Sequence, residues 1–561
     1  MPSPFLTSLR SQCCFVVGLL LGVGNVAVAA PPASRSEGGP AQTVERWVLV
    51  KEQEWRQPPL KSVTPRMIDD LVAKELRESA PAALTTDERF IRRVSLDLTG
   101  QLPAPSDVTV FIASREADKR KALIDRLLES DAYARHWARF WRDVVSARIT
   151  NRRSMGLTRS FEEWLFEQLR AGANWSEITR SILTAEGELQ FTLNTPTSKN
   201  GALFFLVAHD GDEAEERAAE TSRVFMGIQI QCAQCHDHHT EKWTRNQFHE
   251  FAAYFARIKF EQLFIDKKLS GVQLVTLADR EHRMATLADP DKFTLIQPRF
   301  IDGQSPGVKL GDRERRQALA DAVVDDKNHW FAAAYVNRVW GELMGRPFYR
   351  HVDDLGPLKE VIFPEVLTTL TRSFQGTNHD IKAMFRLILN TDAYQRQTVR
   401  ANHVPFAAAS TTRLRADVVW DSLVHVLGKV EIGARFHTGS GVRFSGSFLE
   451  GKFRAEFDFD PSLDPEDVKG TIPQALFLMN NPILSKHIQA AKASMLVGLL
   501  KECPDNSDAI NKLYMLALAR KPSERELKRC LAHVAETGVR AEGFEDLLWA
   551  LINSTEFQRK R

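Results

Sequence analysis

At 561 residues the chain exceeds one compact domain, and length alone suggests about three to four units. A content of 43% hydrophobic and 26% charged residues is that of a globular protein with material for a sizeable core, not of a disordered or fibrous chain. The formal net charge of +2 supplies no broad basic field for a phosphate backbone, so nucleic acid is not an expected partner.

In chain order, Arg10 precedes an apolar stretch from Cys13 to Val23, and small residues follow through Ala27-Val28-Ala29. This pattern predicts a secretory signal peptide over 1–29, too short to span a bilayer, with cleavage after Ala29. Cys13 and Cys14 leave with it. No other segment has the length of a membrane span, so the mature chain is expected to carry none. Residues 30–64 are rich in Pro, Gly, Ser and charge and read as a flexible tether.

Helical texture then begins. Ile68, Leu71, Val72 and Leu76 recur at helical spacing. Thr85 with Glu88 reads as a capping box opening a helix that Gly100 and Pro103 close. Leu123, Ile124, Leu127 and Leu128 mark another, and the stripe Trp137, Phe140, Trp141, Val144 and Val145 reads as a strongly amphipathic helix facing a core. Between 261 and 310 the periodicity weakens, with short strands predicted over 272–276 and 293–296. Helical pattern returns from Arg313. A second break, 430–470, reads as a long loop or small β element, and helices resume from Pro473 to the end. Cys530 lies beside Leu527 and Leu531 at helical spacing, as a small buried hydrophobe, while Cys503 sits in a turn; a bond between them is left open. The expected fold is mainly α: a helical domain over 65–260, a linker or small β element over 261–312, and a second helical domain over 313–561.

The chemistry concentrates at Cys232-Ala-Gln-Cys235-His236. Two thiols at this spacing lie on one side of a helical turn and can add to the two vinyl groups of one porphyrin, while the following imidazole becomes the proximal iron ligand. Cys232, Cys235 and His236 are therefore the expected attachment residues for a single covalent haem c, with His236 as the metal ligand. Export is consistent with this, because such haem is attached outside the cytoplasm. Zinc is the alternative, held by Cys232, Cys235 and His238 or His239, although no second C-x-x-C completes a closed site. A thioredoxin-like pair expects a strand before the motif. For the sixth iron position Met226, His209 and His249 are within reach in sequence, and none is singled out. In the second half, Asp353-Asp354 reads more readily as a cap or solvated turn than as an acid pair, and Asn337 and Arg338 as helix braces; no catalytic constellation is recognisable.

The run from Ser222 through His238, with Lys242-Trp-Thr and Phe251-Ala-Ala-Tyr-Phe-Ala256, resembles the cytochrome-like domain of an exported planctomycete family grouped under domains of unknown function. Arg92-Arg-Val-Ser-Leu-Asp-Leu-Thr-Gly100, His136-Trp-Ala-Arg-Phe-Trp141 and Ile182-Leu-Thr-Ala-Glu-Gly187 fit the same PSCyt-type domain. Asn337-Arg-Val-Trp340, Val352-Asp-Asp-Leu-Gly356, Leu387-Ile-Leu-Asn390 and Ile472-Pro-Gln-Ala-Leu-Phe-Leu-Met-Asn480 resemble the PSD-type partner domain that follows it. One departure is local: where the family continues with Pro-Phe-Asp, this chain has His239-Thr-Glu241. The resemblance carries no assigned reaction. Together with the motif and leader it implies an exported monohaem electron-transfer or redox component of the periplasm or cell envelope, working with an unknown redox or envelope protein. A structural or interaction protein with a zinc-bound or inert C-x-x-C-H site is the alternative. A haem-assisted enzyme acting on envelope or extracellular polysaccharide is a weaker third reading, with no catalytic base named.

Overall fold

A computed structural model describes residues 46–560 apart from 78, 191–198, 210–213, 308, 400–403, 429–447 and 492–493. The expected signal peptide, the first part of the tether and residues 430–447 of the 430–470 break lie outside the described residues; the described remainder of that break holds the Phe448–Phe457 helix, where a loop or small β element was expected.

The fold is mainly α. Short helices are joined by tight turns, and strands are confined to three small antiparallel sheets. The Asp87–Thr99 helix begins at Thr86 rather than Thr85, with no side-chain cap, and closes at Gly100 in the left-handed conformation. The capping box expected from Thr85 and Glu88 is therefore not formed. Thr85 is instead drawn inward, its N–H donating to Gln395 O at 2.8 Å. The Asp131–Ser146 helix starts on Ser130, whose side chain accepts from Tyr133 N. Its aromatic stripe is buried as expected, Trp141 lying 4.2 Å from Trp175 and 5.6 Å from Tyr335 between ring centroids.

The weakly periodic middle segment forms strands. Ile258–Ile265 pairs with Lys268–Thr276 as a hairpin, and Glu188–Gln190 adds to the other edge of Lys268–Thr276. Asp266 and Lys267 turn the hairpin with φ of 50° and 62°, the doubly positive geometry of a two-residue type I′ turn. A second hairpin pairs His282–Ala285 with Phe293–Ile296. The strands expected over 272–276 and 293–296 are thus present; Ile258–Ile265 was not foreseen.

Packing does not divide at 261–312. One hydrophobic core runs from Trp55 through the His329–Met344 and Pro364–Gly376 helices to Ala519, taking side chains from both sides of the β segment. A second core lies among Leu414 to Phe557 but includes Leu96 and Leu102 from the first half. Polar groups join the halves as well. The Asp87–Thr99 helix buries Arg92, Arg93 and Asp97 along with its apolar residues. Arg93 donates to Tyr394 O and Arg396 O, both at 2.8 Å, and Arg92 to Glu556 O at 2.9 Å. Asp97 accepts from Tyr394 Oη at 2.6 Å and from Lys560 Nζ at 2.7 Å. A helix whose charged face is buried in this way is a clamp, not a surface element. Among the described residues no helix is long and apolar enough to cross a membrane.

Candidate functional site

The Ala214–Met226 helix is buried almost all round and delivers the chain to the motif. It ends at Gly227, where φ is +66° and a Cβ would meet Leu355 and Ala334 at 3.0–3.1 Å. Glycine is required there for both backbone conformation and close approach. Leu355 N donates to Gly227 O at 2.8 Å, and Ser222 Oγ to Ile228 O at 2.7 Å, which fixes the reversal. Ile228, Ile230 and Ala233 are buried and anchor the turn from beneath.

The motif itself is a 3-10 turn, Gln231–Gln234, with Cys235 as its C-cap. Residues three apart eclipse in this geometry, so Cys232 and Cys235 project to the same side. Both are exposed free thiols. His236 is also exposed, and its Nδ1 lies 2.8 Å from Asp237 O. A carbonyl only accepts, so Nδ1 carries the proton and Nε2 of the neutral ring keeps its lone pair. That is the arrangement in which outer hydrogen bonds hold metal-ligating histidines. The His239 ring lies 4.2 Å from that of His236.

The loop after the motif is held at several points. Arg245 N, at the start of the Arg245–Ala252 helix, donates to Asp237 Oδ1 at 2.9 Å, and Arg245 Nη2 to Ala285 O at 2.7 Å. His238 N donates to Trp243 O at 2.8 Å. Burial lowers the His238 imidazole, helped by Lys359. Glu241 is buried and accepts from Leu358 N at 3.3 Å; any Cβ at Gly356 would strike its carboxylate. Burial raises the Glu241 carboxyl, opposed by the Leu358 N–H and by Lys359. The residue that departs from the family pattern thus ties the motif loop to the 352–358 loop of the second half.

The three side chains within sequence reach of a sixth iron position, none of which the sequence singles out, are all buried. Met226 is buried and its Sδ accepts from Asn328 Nδ2 at 3.5 Å. His209 is buried with Nε2 3.1 Å from Val145 O, and burial pushes its imidazole down to about 4. His249 lies behind the motif, its Nε2 3.0 Å from Gln234 O and its Nδ1 2.9 Å from His282 Nε2. Glu215 Oε1 is 3.6 Å from His282 Nε2 and 3.9 Å from His249 Nδ1. Among the described residues this is the only group of three or more His, Cys, Asp or Glu ligand atoms gathered within 4.8 Å, and all three residues are buried. Cys232 and Cys235 do not converge with His238 or His239 in that way. Sequence reasoning weighed His249 alone and missed Glu215 and His282, which lie on a polar helix and a weakly periodic strand with no motif spacing to mark them.

The other polar residues singled out in the sequence pair with protein groups, and Asp353 lies in the interior rather than in the solvated turn expected for it. Asp353 is buried between Arg338 and Arg223, with Arg223 Nη1 at 2.8 Å, and also accepts from Ser462 Oγ at 2.7 Å. Asp354 pairs with Lys359. Asn337 Oδ1 accepts from Phe348 N at 2.8 Å while its Nδ2 donates to Val352 O at 3.1 Å, bracing the following turn. Cys503 and Cys530 are both free, and Tyr514 Oη lies 3.7 Å from Cys530 Sγ.

No curated protein and no solved structure matches the chain. Residues 67–260, which contain the motif, match the family model PSCyt2, described as a protein of unknown function (DUF1549). Residues 315–443 match PSD1, likewise described as a protein of unknown function (DUF1553). The chain therefore carries, in this order, two domains of unknown function, with the C-x-x-C-H turn in the first and the loop that receives Glu241 in the second.

Proposed function

We propose that the protein is exported and carries one haem c on Cys232, Cys235 and His236, acting as an electron-transfer or redox component of the periplasm or cell envelope. The observation that carries this reading is the motif turn: two free, exposed thiols on one side and an imidazole whose Nδ1–H is tied to Asp237 O, leaving Nε2 to bind iron. The donor set fits the group. Each thiol would add across one vinyl double bond, forming one S–C bond while its proton went to the neighbouring carbon; attachment would consume no oxidant and would need both cysteines as unpaired thiols, which is how the turn presents them. Bound haem supplies a one-electron iron couple, tuned by axial ligand and solvent exposure. Ala233, Ile230 and Ile228 are buried beneath the turn and anchor it, and the Arg245 N–H holds Asp237 at the start of the following helix. A zinc site within the motif is less well supported, since its cysteines and His238 or His239 are not gathered into a ligand cluster.

Covalent haem survives denaturation, whereas zinc or a loosely held b-type haem does not. Wild-type protein made with cytochrome maturation machinery should retain haem-dependent peroxidase staining on a denaturing gel and exceed the apoprotein mass by one haem. Cys232→Ser/Cys235→Ser should abolish the stain, and His236→Ala should disturb the Soret band even where attachment persists. The mature N-terminus from the envelope fraction should be Ala30. Colourless wild-type protein under those conditions refutes the haem reading and leaves a structural or interaction role with an inert turn; an intact Met1 in the cytoplasm refutes export.

A further inference from the structure

Behind the motif turn, three potential ligand atoms face one another in the interior. His249 Nδ1, His282 Nε2 and Glu215 Oε1 are separated by 2.9, 3.6 and 3.9 Å. Each comes from a different element: Glu215 from the first turn of the Ala214–Met226 helix, His249 from the Arg245–Ala252 helix, and His282 from the start of the His282–Ala285 strand. The tautomer of His249 is fixed by its neighbour. Its Nε2 lies 3.0 Å from Gln234 O, which can only accept, so Nε2 bears the hydrogen and Nδ1 presents a lone pair to His282 and Glu215. A ligating imidazole whose other nitrogen donates to a backbone carbonyl is the usual outer-sphere support of a metal site. Two imidazoles and one carboxylate are the protein ligands of open zinc sites, with a fourth position left for water.

Ligand spacing bears on the choice of ion. Two ligands at ~2.05 Å from a tetrahedral ion lie about 3.3 Å apart. Ligands cis on an octahedral ion at about 2.1 Å lie about 3.0 Å apart. Two of the three observed separations exceed both values and one falls below them, and the mean lies nearer the tetrahedral figure. We propose that Glu215, His249 and His282 form a buried site for one divalent first-row transition-metal ion of tetrahedral preference, zinc foremost. On binding, His282 moves its proton from Nε2 to Nδ1 and no net proton is released from the two neutral rings. The ion then holds the His249 ring that supports Gln234, and with it the turn bearing Cys232 and Cys235. The site goes beyond the haem reading and does not rest on it.

The test uses the full chain in the Cys232→Ser/Cys235→Ser background, which cannot hold covalent haem, alongside wild type. After chelation and dialysis, each should take up about one Zn2+ per chain by elemental analysis, as expected for a single site, and melt at a higher temperature when loaded. Co2+ should give the visible d–d absorption of a tetrahedral site in both. His282→Gln and Glu215→Gln should each weaken Zn2+ binding by more than the ~10–100-fold typical of losing an outer-sphere partner and remove the Co2+ band, while melting close to the metal-free parent. Failure of the cysteine variant to bind Zn2+ or Co2+ overturns the proposal, whether or not the histidine variant folds. So does metal retained by His282→Gln, and iron(II) bound in preference to zinc overturns the choice of ion. Haem staining of wild type is scored separately, so neither reading can fail in the other's place.

Discussion

The buried pair Asp97 and Lys560 allows a quantitative test of how the two halves hold together. Lys560 Nζ donates to Asp97 Oδ1 at 2.7 Å and to Glu342 O at 2.7 Å, and both charged side chains are buried, at 4% and 6% exposed. Lys560→Met removes the ammonium and leaves the Asp97 carboxylate with Tyr394 Oη, at 2.6 Å, as its remaining bonded partner of the two. Breaking a buried pair from one side costs about 3–5 kcal/mol, because the surviving charge is desolvated without compensation. For cooperative unfolding of roughly 500 residues at ~2.1 cal/mol/K each, the unfolding entropy is about 1.1 kcal/mol/K, so the melting temperature should fall by about 3–5 °C. Adding Asp97→Asn neutralises the stranded carboxylate yet keeps an oxygen for Tyr394, and should recover at least about 1–2 kcal/mol. Circular dichroism and calorimetry on the two variants decide the matter. A shift below about 1 °C for Lys560→Met, or a double variant less stable than the single, refutes the reasoning.

Two more expectations follow from burial. Burial pushes His136 and His329 down to about 3 and His209 and His379 to about 4, all below the ordinary value of ~6.5. A depressed histidine contributes stability that is complete above about pH 6.5 and is lost as pH falls toward the folded value. Burial raises Asp458 and Asp464 to about 6, which acts in the opposite sense, so the comparison is made within one pair of proteins. Between pH 7 and pH 5 wild type should lose up to about 2 kcal/mol relative to His209→Asn, read from denaturant midpoints; a constant gap contradicts the assignment. Limited trypsin digestion should cut at the exposed hairpin tip beside Lys267. Because one core spans the cut, the fragments should co-elute in native buffer and separate only when denatured, with any haem on the N-terminal piece. Native separation would contradict the shared core.

Much of the fold is legible in the sequence wherever burial coincides with apolar periodicity. The stripe from Trp137 to Val145 follows from spacing alone, and the strands at 272–276 and 293–296 from short strand-forming runs where periodicity is weak. The Asp87–Thr99 helix shows where that logic fails. Its Arg92, Arg93 and Asp97 look like a solvated face, yet their partners lie 297 to 465 residues away and turn that face inward. The hairpin beginning at Ile258 is hidden because Asp266-Lys267 makes its turn without glycine, the usual signal for two positive φ values. For the site, C-x-x-C-H is readable because attachment chemistry imposes a local spacing. Glu215, His249 and His282 meet only through tertiary packing, and no local pattern announces them.

The bond between residues 97 and 560 also has a consequence in time. It spans 463 positions, so it cannot form until residue 560 has been made and brought back to the first half. Contacts of such separation slow folding, since a long loop must close before the contact rewards it. Until then the Asp87–Thr99 helix would have to bury Asp97 without its cation, which favours leaving that region loose. A nascent chain of this kind stays pliable late in its synthesis. Were the protein exported as an unfolded chain, in line with the proposal above, delayed locking would keep it competent for passage and tie completion of the fold to the far side.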